Sequence, residues 1–118
     1  MFIEKYCLGW IKVAYERLVK KMTIENLWLY ILSLLRDNPK YGYEIRKLIQ
    51  EKFGFKPGAV TAYVVLYKLV KEGYISLKEE KKEGRGPTRK YYEITDEGRK
   101  LLLKGEKFLE ELLKKISS

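Results

Sequence analysis

A mainly helical α+β fold is what this sequence predicts, and three observations predict it. Apolar side chains recur at helical spacing through a series of segments up to Gly73. The period then changes to short β-favouring runs on either side of a polar, glycine-bearing stretch, KEEKKEGRGPTRK. A long amphipathic segment closes the chain.

The first segment spans 3–21, where Ile3, Cys7, Trp10, Ile11, Ala14 and Leu18 form a helical stripe interrupted only by Gly9. Thr23 starts a second helix, with Glu25 and Asn26 in a first turn whose dipole favours acidic groups. Ile24, Leu27, Trp28, Ile31, Leu32, Leu34 and Leu35 make that helix apolar on most sides, so it belongs at the centre. Asp37-Asn38-Pro39 ends it, because proline disfavours helix in the residue before it.

A third helix is expected from about Tyr41 to Phe53, with Ile45, Leu48, Ile49 and Phe53 inward and Gly54 as its stop. Gly42 at its start points to tight packing or an unusual entry angle. After the turn Phe55-Lys56-Pro57-Gly58, a fourth helix runs from about Ala59 to Glu72 and closes at Gly73. Its expected core positions are Val60, Tyr63, Leu66, Leu69 and Val70. Tyr74–Lys78 and Tyr91–Thr95 read as strands, and the polar stretch between them as a hairpin loop. Asp96-Glu97-Gly98 then opens a helix to about Ile116, with Leu101, Phe108, Leu109, Leu112, Leu113 and Ile116 on one stripe. Glu110 with Lys114 and Glu111 with Lys115 are i,i+4 pairs on its wet side. Three short helices followed by a two-stranded hairpin is the winged helix-turn-helix layout, here with an additional N-terminal and C-terminal helix.

The chain has 118 residues, enough for one core, and its 35% charged residues exceed the usual share of about 25%. Lys+Arg 25 against Asp+Glu 16 leaves a net charge of +9, and the pI near 9.5 fits a nucleic-acid binder. With no histidine and Cys7 alone, neither a disulfide within the chain, a Cys/His zinc site nor a histidine-based triad can be assembled. The carboxylates fall on helix surfaces beside lysines, so neither catalysis, a cofactor nor a metal site is expected. A membrane span needs about 20 apolar residues and no such run occurs. The N-terminus also lacks signal-peptide character, so a cytoplasmic protein is expected.

The cationic groups are concentrated where a duplex could meet them. Lys78, Lys81, Lys82, Arg85, Arg89 and Lys90 cluster around the hairpin against Glu79, Glu80 and Glu83. Gly84, Gly86 and Pro87 shape its tip for close approach, and an Arg fork suits phosphate or a narrow minor groove. The competing reading is a solvated loop kept soluble by charge. The fourth helix opens GAVTAY: Thr61 and Tyr63 offer hydroxyls, and Lys68 and Lys71 lie further along. Tyr41 or Tyr43, at the start of the third helix, can donate to phosphate or pack in the core. The fourth helix has no Arg, Asn or Gln near its start, so base readout through hydrogen bonds is expected to be modest.

Three motifs carry a resemblance. Pro39-Lys40-Tyr41-Gly42-Tyr43-Glu44-Ile45 is similar to P-x-Y-G-Y-E-I. Thr61, Tyr63, Leu66 and Leu69 through Glu72-Gly73-Tyr74-Ile75 resemble T-x-Y-x-x-L-x-x-L-x-x-x-G-x-I. Gly84-Arg85-Gly86-Pro87-Thr88-Arg89-Lys90-Tyr91-Tyr92-Glu93-Ile94-Thr95-Asp96-Glu97-Gly98 resembles the wing pattern G-R-P-R-K-Y-Y-x-I-T-x-x-G. Over about 27–103 the chain resembles the PadR family of transcriptional regulators, in its compact branch with a single C-terminal helix.

The resemblance implies a homodimeric DNA-binding regulator, most readily a repressor. Its recognition helix, 59–72, would enter the major groove while the wing, 78–90, touches backbone or minor groove. It assigns DNA contacts to Tyr41, Tyr43, Thr61, Tyr63, Lys68, Arg85, Arg89 and Lys90. The dimer interface would use Leu102, Phe108, Leu109, Leu112, Leu113 and Ile116. The chain would then divide into an N-terminal helical extension (1–22), a winged-helix domain (23–95) and a dimerisation helix (96–118). Some relatives bind phenolic acids or flat drug-like molecules, so Trp10 and Trp28 are candidates for contact with a small aromatic effector, although core packing competes. Met22 is an alternative start to Met1. Two other functions stay open at this point: a winged-helix module that binds protein, and a protein that coats DNA without sequence preference.

Overall fold

In the computed structural model, the described residues are 13–82, 84, 86 and 88–118, with the side chains of Lys81 and Lys82 left aside. Residues 13–22 are helical (α1) and lead through a 3-10 turn at Ile24–Asn26 into α2, Leu27–Leu35. There follow β1 (Lys40–Tyr41), α3 (Gly42–Phe53), α4 (Ala59–Lys71), β2 (Ile75–Lys82), β3 (Thr88–Ile94) and α5 (Asp96–Ser117). The strands form one antiparallel sheet in the order β1-β3-β2. This is the expected mainly helical winged helix-turn-helix.

Helix α2 is central, as its all-round apolar sequence requires. Leu27, Ile31, Leu32, Leu34 and Leu35 are buried and pack with Ile45 and Ile49 of α3, Leu66 of α4 and Ile75 of β2. Each such side chain contributes roughly 1.5–3 kcal/mol on burial. Lys40 terminates α2 through its own ammonium, which donates to the carbonyl of Leu34 at 2.8 Å and to Asn38 Oδ1 at 2.6 Å. A cation there also suits the negative end of the helix.

The glycine stops behave as the sequence suggests. Gly54 ends α3 at φ 79°. Gly73 takes φ 84° and donates to the Val70 carbonyl, while Tyr74 N–H donates to the Leu69 carbonyl. Those two bonds close α4 as a Schellman motif, which needs a left-handed residue. Thr95 caps α5. Its hydroxyl oxygen accepts from Gly98 N–H at 3.0 Å and its hydroxyl donates to the Gly73 carbonyl at 2.7 Å. The same threonine thus ties the start of α5 to the end of α4.

Several expectations change. The strand β1 is additional: two residues after Pro39 pair with β3, Lys40 opposite Tyr92 and Tyr41 opposite Tyr91. A pair so short has no period to read. The hairpin strands continue to Lys82 and from Thr88, so most of the polar stretch is paired strand rather than loop. A solvated two-stranded ribbon needs no apolar alternation to hold its ladder. A bulge between Leu77 and Glu79 leaves Lys78 as the extra residue on β2, and its ammonium lies 3.6 Å from Glu93 Oε2.

Three expected core positions of α4 are exposed instead: Val60 at 78%, Tyr63 at 47% and Val70 at 37%. The buried face is Ala62, Leu66 and Leu69, at i, i+4 and i+7, and the small Ala62 lets α4 approach the core closely. Ile24 is likewise exposed, because the 3-10 turn rotates it away from α2's inner face. Leu102, expected at a dimer interface, is 3% exposed and belongs to the chain's own core. Of the N-terminal stripe, Ala14 is half-buried and Leu18 is exposed; Ile3, Cys7, Trp10 and Ile11 lie outside the described residues. Trp28 is half-buried, packs against the core and sits over Gly105 of α5. Among the described residues no helix is long and apolar enough to cross a membrane.

Candidate nucleic-acid interface

The start of α3, the outer side of α4 and strand β3 converge on one groove of about 530 Å³. Tyr41, Gly42, Tyr43, Tyr63, Thr88, Arg89, Lys90 and Tyr92 line it. The convergence follows from local structure. Pairing of β1 with β3 brings Tyr41 beside Tyr91, ring centroids 5.5 Å apart. Tyr41 also stacks on Tyr43 at 6.5 Å and 17°. The Arg89 guanidinium carbon lies 4.7 Å from the Tyr41 ring centroid. That cation–π contact holds a positive charge at the rim of the groove.

Gly42 explains how α4 reaches this groove. A β-carbon at position 42 would stand 2.6 Å from Cε1 of Tyr63 and 3.0 Å from its hydroxyl oxygen. The glycine is the notch into which Tyr63 fits, which accounts for its place at the start of α3. Replacing it with alanine is expected to push the half-exposed Tyr63 ring outward. Folding should lose only about 1 kcal/mol, because a flexible side chain can yield. Affinity for DNA should fall more clearly, and thermal melting beside anisotropy titration would separate the two effects.

Electrostatics favour an anionic partner. Arg89 and Lys90 reach the groove from β3, and Lys68 and Lys71 occupy the last turn of α4. No acidic residue lies in the first turn of α4, and no side chain caps it. Its N-terminal N–H groups therefore keep a partial positive charge of the kind that meets phosphate. Tyr92 is buried at the base of the groove. Burial pushes its hydroxyl pKa up, and Tyr63 adds to the rise. It stays neutral at physiological pH and adds no negative charge.

Of the residues singled out from sequence, Tyr41, Tyr43, Tyr63, Arg89 and Lys90 meet in this groove. Thr61 is exposed on α4 outside it. Lys68 is exposed on the same helix, about 13 Å along the axis from Ala59. Arg85 lies outside the described residues. Thr88 and Tyr92 join the groove without having been singled out: Tyr92 pairs with Lys40 of β1, and Thr88 lies four residues earlier on the same strand. Val64 and Tyr67 were also missed. Together with Val60 and Tyr63 they form a second apolar stripe on α4 at helical spacing, which the sequence does contain.

The profile of the PadR-like family of transcriptional regulators matches residues 31–104. No curated protein matches the chain by sequence. Among solved structures, the chain is similar to a PadR family transcriptional regulator from Eggerthella lenta, with 31% identity and a TM-score of 0.70 over 89% of this chain and 94% of that one. It is also similar to a transcriptional regulator from Clostridium thermocellum, with 36% identity and a TM-score of 0.62 over 76% and 87% of the two chains. Similarity to Bacillus subtilis PadR, solved in complex with operator DNA, is 31% identity with a TM-score of 0.61 over 66% of this chain. The chain spans 45% of the length of that protein. With the profile covering most of the winged helix and the structural likeness extending across it, the chain belongs to the PadR-like family of transcriptional regulators.

Proposed function

We propose that this regulator binds operator DNA as a homodimer and represses transcription from it. Helix α4 enters the major groove, and the β2–β3 wing lies on backbone or minor groove. The observation that carries the reading is the single groove in which Tyr41, Tyr43 and Tyr63 stand beside Arg89 and Lys90. Hydroxyl donors and cations on one face are the phosphate-contacting set of a DNA-binding domain. That the Bacillus subtilis relative was solved in complex with operator DNA supports DNA as the partner.

Residues 23–95 would supply the DNA contacts and 96–118 the dimer. The outer half of α5 supports that division. Phe108, Leu112, Leu113 and Ile116 are exposed at 55, 43, 65 and 72%, and Leu109 is half-buried. Val13, Tyr15, Leu18 and Val19 of α1 are exposed as well, so both terminal helices carry apolar surface that a second copy would cover. A twofold dimer would place its half-sites about 34 Å apart. Any aromatic effector would meet the dimer near Trp28, and quenching of indole fluorescence by a phenolic acid would test that.

The test of DNA binding is fluorescence anisotropy with the chain's own upstream promoter and a scrambled duplex. It is run from about 50 to 200 mM salt, the range over which six to ten phosphate contacts cost about 10³–10⁵ in affinity. The expected result is promoter-selective binding that weakens steeply with salt. Arg85→Ala/Arg89→Ala should weaken it on both duplexes and flatten the salt slope by about two. Equal binding to both duplexes would favour a coating protein. Binding that ignores salt and wing charge would favour a module that binds protein.

A further inference from the structure

Helix α4 has two apolar faces where a surface helix needs one. Ala62, Leu66 and Leu69 turn into the core. On the other side Val60, Tyr63, Val64 and Tyr67 follow one another at i, i+3, i+4 and i+7, and are 78, 47, 46 and 67% exposed. With Ala59 they line a shallow hollow of about 450 Å³. This strip bears none of the Arg, Lys, Asn, Gln, Asp or Glu side chains that hydrogen-bond to base edges.

The surroundings indicate what covers it. Tyr63 belongs both to this hollow and to the cationic groove of Arg89 and Lys90, so the two surfaces are continuous. Lys56 precedes α4, Lys68 and Lys71 close it, and α4 itself carries no acidic residue. An apolar strip inside a cationic rim suits a polyanion that displays apolar spots. In the major groove of B-DNA the apolar group on the base edges is the C5-methyl of thymine.

We infer that α4 selects its site by packing Val60, Val64 and the Tyr67 ring against thymine methyl groups. Duplexes preferred by this protein therefore carry thymine at fixed positions beneath α4. Thymine is told from cytosine there by methyl burial rather than by paired hydrogen bonds. The inference rests on the reading of α4 as the recognition helix. Burying one methyl changes affinity about fourfold, and a dimer makes each contact twice.

The experiment uses the full-length chain. Duplexes are selected from a random-sequence library, and the strongest binder is resynthesised with deoxyuridine in place of thymidine, first throughout and then position by position. That exchange removes only the methyl groups and leaves every base-pair hydrogen bond in place. Complete replacement should weaken binding at least tenfold, with losses of about fourfold at the few contacted positions. In Val60→Ala/Val64→Ala the ratio between the thymine and uracil duplexes should shrink towards one. Both valines are exposed, so the variant should keep the wild-type melting temperature. Equal affinity for the two duplexes would overturn the thymine reading while leaving sequence-specific DNA binding intact. A ratio unchanged in the valine variant would overturn it too. A library that yields no enriched duplex would overturn the recognition-helix reading itself.

Discussion

Gly98→Ala is expected to destabilise the fold by about 3 kcal/mol, the upper end of what added core volume costs. A β-carbon at 98 would lie 2.1 Å from the Tyr74 carbonyl oxygen and 2.8 Å from Cγ1 of Ile94. The first obstacle is backbone, so no side-chain rotation relieves it. The Tyr74 carbonyl is also held in place, because it accepts from Thr95 N–H at 3.1 Å. Relief requires moving the first turn of α5 off the sheet, and that movement weakens the Thr95 cap and the burial of Leu102 together. Thermal denaturation should show a melting temperature lower by roughly 10 °C or more, at about 4 °C or somewhat more per kcal/mol for a domain of this size. An unchanged melting temperature would mean that α5 does not approach Tyr74 this closely.

Leu112→Glu should convert the proposed homodimer to monomer. An interface with twofold symmetry repeats each substitution, so two leucine contacts are lost, each worth about 1 kcal/mol because Leu112 is already more than half covered in the single chain. Two carboxylates would also face apolar surface. The dissociation constant should rise by at least about a thousandfold, following from some 4 kcal/mol or more. Light scattering would report half the mass at micromolar concentration. Leu112 is 43% exposed in the single chain, so the variant should melt as a folded domain. Operator affinity should fall with the mass, because one half-site contact no longer brings the second into reach. Unchanged mass would show that α5 does not hold the dimer.

The element order was legible because each helix announces its ends chemically. Pro39 follows α2, and Gly54 and Gly73 stand where left-handed caps are needed. The β-branched and aromatic residues of Tyr74-Ile75 and of β3, on either side of a polar stretch, mark the hairpin. Tyr41, Tyr43, Tyr63, Arg89 and Lys90 could be picked out because hydroxyls and cations sat near predicted helix starts and on the wing. The inner face of α4 was less legible. Val60, Tyr63 and Val70 match a helical period as well as Ala62, Leu66 and Leu69 do. A helix that is apolar on two sides gives no internal reason to prefer either.

Local chemistry therefore determined the winged-helix order, the cationic wing and the family, since caps, turns and β-propensity act over a few residues. Tertiary structure alone decided the rest. Pairing of Lys40–Tyr41 with β3 assembles the tyrosine–arginine groove. Gly42 and Gly98 are required by neighbours 21 and 24 residues distant, Tyr63 and Tyr74. The small Ala62 faces the core and turns Val60 outward. Leu102 falls inside the single chain while Leu112, on the same helix, remains exposed. Each of these depends on which surfaces meet, and close packing between distant segments leaves no periodic signal along the chain.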